Sequence, residues 1–273
     1  MKEFFGFGGF QREPEGYFSW PHLTFVTSLM VIMVILAVLI GKANKNANDK
    51  KKNVPLIFCA ILIDAFEIVK IAIMCLRAND PTGWLDNLPL FLCSIQLITI
   101  PMAAFCKGRL KEASLDFVMI FGLLGALLGT YFAGQNYSCY PVFSLDNVVS
   151  GITHSISGFC SLYIMISRMN SMKKKNMIFT YGIFTAFCIT AYIVNIIIDY
   201  NYMFLMRPDG TPFEIVYSLV SGNKVLYPVS VALLMLFYIF VYYAVYYFIM
   251  KIASSSERKK KLLEERLETV KNS

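Results

Sequence analysis

Hydrophobic and polar positions along this chain alternate in long blocks. Apolar runs of roughly 20 residues, each long enough to cross a hydrocarbon core of about 30 Å, are separated by shorter polar segments. The runs predict seven transmembrane helices, at about 21–41, 54–76, 87–106, 114–134, 148–168, 177–198 and 225–249. The predicted fold class is therefore all-α: a polytopic membrane protein built as a seven-helix transmembrane bundle.

The same blocks divide the chain into three predicted parts. Residues 1–20 form an external N-terminal segment, which lacks the basic start and the small-residue cleavage site of a signal peptide. Residues 21–250 form a single seven-helix transmembrane domain. Residues 251–273 form a charged cytoplasmic tail that we expect to be a solvated helix or a frayed end.

Positive charge is concentrated on one side of the predicted spans. The connections "KANKNANDKKKN", "KGRLK" and "RMNSMKKK" and the tail carry most of the lysines and arginines. Because positively charged loops stay in the cytoplasm, we expect the N-terminus outside the cell membrane and the C-terminus inside. The anionic inner leaflet then explains the net charge of +7, so the expected partners are membrane lipids and not a nucleic acid.

Composition supports the membrane class and narrows the chemistry. Only 16% of the residues are charged, against about a quarter in a typical soluble domain. The seven cysteines include no CxxC pair, and two histidines are too few for a histidine-based metal centre. We therefore expect neither a metal nor another cofactor. The oligomeric state stays open.

Two residues suited to nucleophilic catalysis fall at one predicted depth. Cys93 and His154 each lie about six residues below the outer end of their span, or roughly 9 Å along a helix. Gln96 lies one turn below Cys93, and Ser157 lies one turn below His154 on a small, polar face. If spans three and five are neighbours, these side chains line an outward-facing pocket in which His154 activates the thiol.

The second span carries Asp64, Glu67 and Lys70. Ionisable groups within a membrane must face the protein interior or a wet cavity. Glu67 and Lys70, three residues apart, are predicted to pair on one helix face. Two interpretations stay open: a buried ion network that fixes helix packing, or a polar core that binds a ligand. Asn195, near the outer end of the sixth span, adds a polar group close to this level.

Four motifs occur in a fixed order along the chain. They are "SWPHL" at the start of span one, "LPLFLCSI" opening span three, a histidine early in span five, and "NYMFLMRP" after span six. In this order they resemble the YwaF-like family of bacterial integral membrane proteins, over nearly the whole chain. That family is related to a eukaryotic TMEM group proposed to be phospholipid acyltransferases. It is also distantly similar to the androgen-regulated hydrolases of fatty-acid esters.

The resemblance implies a compact helical fold with a membrane-embedded nucleophile beside a histidine. By motif, the nucleophile falls on Cys93 and its partner on His154. One position departs from the pattern: Phe91 stands two residues before the cysteine, where the family often has a histidine. The other matched motif residues are His22, Asn201 and Tyr202.

Three classes of function follow as hypotheses. The first is a lipid acyl-transfer or ester-hydrolysis enzyme, in which Cys93 and His154 are catalytic and a lipid ester is the substrate. The second is a transporter or ligand-binding membrane protein that uses the charged residues of span two; a non-catalytic assembly partner is a third. The expected binding residues are Gln96, His22, Glu67, Lys70, Asp64, Ser157, Asn195, Asn201 and Tyr202.

Overall fold

The computed structural model describes residues 2–169 and 172–271, and within these ranges the chain forms α-helices, short 3-10 turns and loops, with no β-strand. The all-α class is therefore confirmed. Residues 1, 170, 171, 272 and 273, which belong to the predicted N-terminal segment, a basic loop and the tail, lie outside the described residues. The α-helices are α1 (Lys2–Phe5), α2 (Trp20–Asn44), α3 (Asp49–Ala78), α4 (Gln96–Phe105), α5 (Gly108–Tyr131), α6 (Gly134–Cys139), α7 (Leu145–Ile166), α8 (Lys174–Ile198), α9 (Glu214–Leu219) and α10 (Leu226–Lys271).

Several of these helices have the length and composition of membrane spans. Five stretches qualify among the described residues, and they coincide with predicted spans one, four, five, six and seven. The chain is thus a multi-pass membrane protein, whereas the count of seven spans and the orientation stay predictions. α3 has 30 residues, but Asp64, Glu67 and Lys70 interrupt its apolar run. The five stretches are Trp20–Asn44, Gly108–Cys139, Leu145–Ile166, Lys174–Ile198 and Leu226–Ile252.

The third predicted span differs from the structure. Helix α4 is only 10 residues long, and residues 88–95 before it form turns, so the predicted helix 87–106 is wrong over its first half. Pro89 lacks an amide donor and holds Leu88 extended, at φ −61° and ψ 147°. The Ser94 hydroxyl accepts a hydrogen bond from the Phe91 amide at 3.0 Å, which replaces a helical bond with a local turn.

Helices α5 and α7 form the centre of the bundle. α5 also contacts α2, α4 and α8, and α7 also contacts α2, α3 and α4. Gly122 lets the two central helices approach: a Cβ added there would lie 2.5 Å from the Ser157 carbonyl oxygen. The Ser161 hydroxyl on α7 donates to the Met119 carbonyl on α5 at 2.7 Å. Close approach of this kind is how helices associate in a membrane, where apolar burial gives little drive.

The outer faces of the bundle are apolar. α2, α8 and α10 expose large hydrophobic side chains along much of their length. Leu39 on α2, Ile197 on α8 and Phe237 on α10 are examples, each more than half exposed. Contiguous apolar surface on this scale suits contact with lipid and would be a liability in water.

We expect Gly122→Ala to lower the melting temperature of the purified protein in detergent. The added methyl group would press on the Ser157 carbonyl, and overpacking of this kind typically costs about 1–3 kcal/mol. Gly182→Ala on α8 is the matched control, because a Cβ there meets no atom within 4 Å. Thermal unfolding of both variants checks the prediction; an equal loss in the two would contradict a specific α5–α7 contact.

Candidate functional site

Five parts of the chain enclose a cavity of about 450 Å³. They are the middle of α3, the turns before α4 with its first residues, two residues of α6, the first half of α7, and the loop after α8. The connections that border the cavity are those with few positive charges. The predicted orientation therefore puts its mouth on the outer side of the membrane.

Cys93 lines this cavity from the turns that precede α4. The backbone amides of Cys93 and Ser94 lie beside the Cys93 sulfur. No backbone carbonyl among the described residues accepts a hydrogen bond from either amide. Because free amides at a helix N-terminus carry partial positive charge, this position favours negative charge on the sulfur or on a bound oxygen.

His154 lines the same cavity from α7. Its Nδ1 lies 2.7 Å from the Ser150 carbonyl oxygen, one turn earlier on the same helix. Since a carbonyl only accepts, Nδ1 carries the proton of the neutral ring and Nε2 is unprotonated. Nε2 is buried, and no described group meets it with hydrogen-bond geometry.

The structure brings Cys93 and His154 together. Both side chains line one cavity, and among the described groups no hydrogen bond joins the thiol to the imidazole. Cys93 faces the cavity from a turn, whereas His154 faces it from a helix.

Four predicted binding residues also line the cavity. Glu67 and Lys70 do so from α3, where they form an ion pair of 2.6 Å with both side chains largely buried. Ser157 lines it from α7, and Asn201 from the loop after α8. The pairing of Glu67 with Lys70 is thus confirmed in geometry, and the pair faces a cavity.

Asp64 and Gln96 are not among the residues that line the cavity, although the sequence analysis expected Gln96 there. Asp64 is one turn before Glu67 on α3 but is not part of the cavity wall, and its buried Oδ1 has no hydrogen-bond partner among the described groups. Gln96 begins α4 and is fully buried, and its side-chain oxygen accepts from the Thr99 hydroxyl at 3.1 Å. The turns before α4 rotate Gln96 away from the face that Cys93 occupies.

His22 is also absent from the cavity wall. Its Nδ1 accepts a hydrogen bond from the Phe18 amide at 3.1 Å, so Nε2 carries the proton and donates to the Thr130 carbonyl at 3.1 Å. The ring is fully buried and packs on Tyr137, with the ring centroids 3.9 Å apart. His22 therefore links the start of α2 to the end of α5, and its expected role in binding stays a prediction.

Asn195 and Tyr202 lie behind the cavity wall and hold its rim. The Asn195 side chain accepts from the Tyr202 amide at 2.6 Å and donates to the Tyr202 carbonyl at 3.0 Å. The Tyr202 hydroxyl accepts from the Leu88 amide at 3.1 Å and donates to the Leu85 carbonyl. These two residues tie the loop after α8 to the turns that carry Cys93, so they support the site without lining it.

The cavity wall also contains three charged residues that the sequence did not indicate: Asp86, Arg207 and Asp209. Arg207 Nε donates to Asp209 Oδ1 at 2.8 Å, and Asn201 Nδ2 donates to Asp209 Oδ2 at 2.8 Å. The only sequence signal was the Pro-Asp-Gly turn that follows Arg207, which folds this loop back on Asn201. The rim of the cavity thus carries both signs of charge.

The fold and the site together define a multi-pass helical membrane protein with an internal polar cavity. The sequence model of the TMEM164 family matches residues 17–251, and the chain belongs to this family. The match covers every helix that borders the cavity. No curated protein and no solved structure matches the chain.

We expect Tyr202→Phe to loosen the turns that carry Cys93. The change removes the hydroxyl that bonds Leu85 and Leu88 and keeps the ring that fills the space. Hydrogen–deuterium exchange of a peptide covering 85–95 should become faster, with little change in α5. Tyr192→Phe on α8 is the control, since no described group bonds its hydroxyl; equal exchange in both variants would contradict the role of Tyr202.

Proposed function

We propose that this protein is a membrane-embedded enzyme that transfers or hydrolyses an acyl group of a lipid ester in the outer leaflet of the cell membrane. Cys93 is the nucleophile and His154 the general base. One observation carries the proposal: both side chains line one cavity, and the Ser150 carbonyl fixes the tautomer in which His154 Nε2 is free to accept a proton.

The reaction proceeds in two steps. The Cys93 sulfur attacks the ester carbonyl carbon, and the thiol proton moves to His154 Nε2. A carbon–sulfur bond forms, the ester carbon–oxygen bond breaks, and the imidazolium returns its proton to the departing alkoxide. Water or the hydroxyl of a second lipid then attacks the thioester, with His154 again taking the proton and Cys93 leaving as the thiol. Water gives hydrolysis, and a lipid hydroxyl gives transfer.

The turns before α4 supply the electrostatic part of the mechanism. The amides of Cys93 and Ser94 lie beside the sulfur and donate to no backbone carbonyl among the described residues. An oxyanion that forms next to this sulfur is within reach of the same donors. Losing one donor of such a hole typically lowers kcat by about 10²–10³. The free amides therefore support acyl chemistry over a purely structural thiol.

Membership of the TMEM164 family makes the chain a TMEM-family membrane protein. The resemblance to YwaF-like proteins, and through them to a TMEM group proposed to acylate phospholipids, supports the choice of substrate class. The position of the cavity along the bundle supports the choice of a lipid ester as substrate as well. A lipid ester lies at the boundary between headgroup and hydrocarbon, and the cavity lies at the end of the bundle where the loops meet α3 and α7.

The rate at which Cys93 is alkylated tests the pair. We expect iodoacetamide to modify Cys93 near neutral pH at least about tenfold faster than an unactivated thiol, because His154 raises the thiolate fraction. His154→Ala should remove this advantage. Peptide mass spectrometry reads Cys93 beside Cys59, Cys160 and Cys188, which are buried and serve as internal controls. A rate at Cys93 that is indifferent to His154 would end the thiol mechanism.

Activity gives the second test. In proteoliposomes that contain a fluorescent lipid ester, we expect Cys93→Ser to lower acyl release or transfer by about 10²-fold or more, since a serine hydroxyl is a far weaker nucleophile than a thiolate. Ser138→Ala, a small change on α6 outside the cavity wall, is the control and should leave the rate unchanged. Full activity in Cys93→Ser would contradict the proposal.

Transport or ligand binding is the second candidate function, and one observation favours it. Glu67 and Lys70 form an ion pair on α3, in a segment predicted to span the membrane, and they face the same cavity. Such residues commonly mark ion or substrate pathways. Under this alternative, Glu67→Gln with Lys70→Met abolishes function while Cys93→Ser does not. The enzyme proposal requires that Cys93→Ser lowers function more than the double change at Glu67 and Lys70 does.

A further inference from the structure

One face of α5 lies directly behind the two reacting side chains. Gly125 and Gly129 are four residues apart and therefore share that face. A Cβ added at Gly125 would lie 3.8 Å from Cys93 Cα, which is ordinary contact. A Cβ added at Gly129 would overlap the His154 ring at Nε2 and Cδ2. The imidazole ring of His154 thus packs against the α5 backbone at Gly129, where only a glycine leaves room for the ring.

The same turn of α5 is held from its other side. Thr130 is among the last residues of α5, whose carbonyls have no partner within the helix. His22 supplies the missing donor to the Thr130 carbonyl, at 3.1 Å. The Thr130 hydroxyl in turn donates to the Ala126 carbonyl at 2.7 Å. These hydrogen bonds therefore restrict rotation of the end of α5 at Thr130, the residue next to Gly129, against which the His154 ring packs.

We propose that the turn Gly125–Thr130 of α5 is the element that positions the thiol and the imidazole relative to one another, and that His22 is a positioning residue that acts on the pair through Thr130. This inference rests on the proposed function of Cys93 and His154. It gives His22 a role although this residue lies outside the cavity, and it makes Gly125 and Gly129 the floor of the site.

The physical reason is that the imidazole is fixed on two sides. The Ser150 carbonyl holds Nδ1, and the α5 backbone at Gly129 blocks movement of the opposite edge of the ring. A reacting group that shifts by about 1 Å can lose about 10²-fold in rate. A small rotation of α5 moves the seat of His154 and the contact at Cys93 together. Losing the His22 bond permits this rotation.

Gly129→Ala is the first test. We expect it to lower the alkylation rate of Cys93 to the level of His154→Ala and to lower the melting temperature, because the new methyl group displaces the ring. In a His154→Ala background the overlap is gone, so Gly129→Ala should change neither quantity further. Non-additivity of this kind shows that Gly129 acts by leaving room for the His154 ring, and not through general helix packing. Gly182→Ala, which meets no atom within 4 Å, is the control and should match the wild type.

His22 provides a second and independent test. His22→Phe keeps a ring against Tyr137 but removes the donor to Thr130, and we expect the alkylation rate of Cys93 to fall several-fold. His22→Gln retains an N–H donor at a similar reach and should restore much of that rate. Rescue by glutamine requires the hydrogen bond, whereas a merely space-filling role predicts that phenylalanine performs better.

The outcomes distinguish this inference from the function on which it rests. If His154→Ala leaves the alkylation of Cys93 unchanged, the catalytic pair fails and the positioning role falls with it. If His154→Ala slows alkylation but Gly129→Ala and His22→Phe do not, the pair stands and the positioning role is overturned. An equal loss of melting temperature for Gly129→Ala in both backgrounds also overturns it. Non-additive loss at Gly129 and rescue by His22→Gln support it.

Discussion

Glycine on α5 lets that helix approach α7 until its backbone meets the groups of α7 directly, and the site depends on this contact. At Gly122 the neighbour is the Ser157 carbonyl, and two turns later at Gly129 it is the His154 ring. In a membrane, lipid competes with protein for apolar surface, so close packing and hydrogen bonds determine which helices associate. The same closeness that holds the bundle together therefore sets where the imidazole lies.

The second constraint is the set of turns at residues 88–95, which interrupts the helical backbone before α4. Non-helical backbone at membrane depth leaves amides without helical partners, and it is tolerated only where it is buried in protein or lines a cavity. Here Pro89 and Ser94 make the turns, and the amides of Cys93 and Ser94 lie beside the cysteine sulfur. The break thus exposes to the cavity the donors that a continuous helix would have used in its own hydrogen bonds.

How much the sequence predicts follows from what its patterns encode. Run length predicted the five apolar spans, because length and composition are properties of each helix alone. Depth along the chain predicted a common level for Cys93 and His154, and both line one cavity. The rotation of a helix depends on its neighbours, which is why the direction of the Gln96 side chain did not follow from its spacing from Cys93. The apolar run of the third predicted span indicated a continuous helix over 87–106. Pro89 is the sequence signal for the turns that interrupt it.

Under the proposed mechanism, the charged wall of the cavity bears on the fate of the thioester. Glu67 and Lys70 stabilise each other within a membrane-spanning bundle, and Arg207 with Asp209 does so at the rim. Side chains of this kind keep a cavity polar, so water competes for the acyl group with any lipid hydroxyl. A transferase must then bind its acceptor closely enough to exclude water, whereas a hydrolase need not. The distinction between the two activities therefore lies in how the acceptor fits beside Glu67 and Lys70, and the thiol itself is common to both.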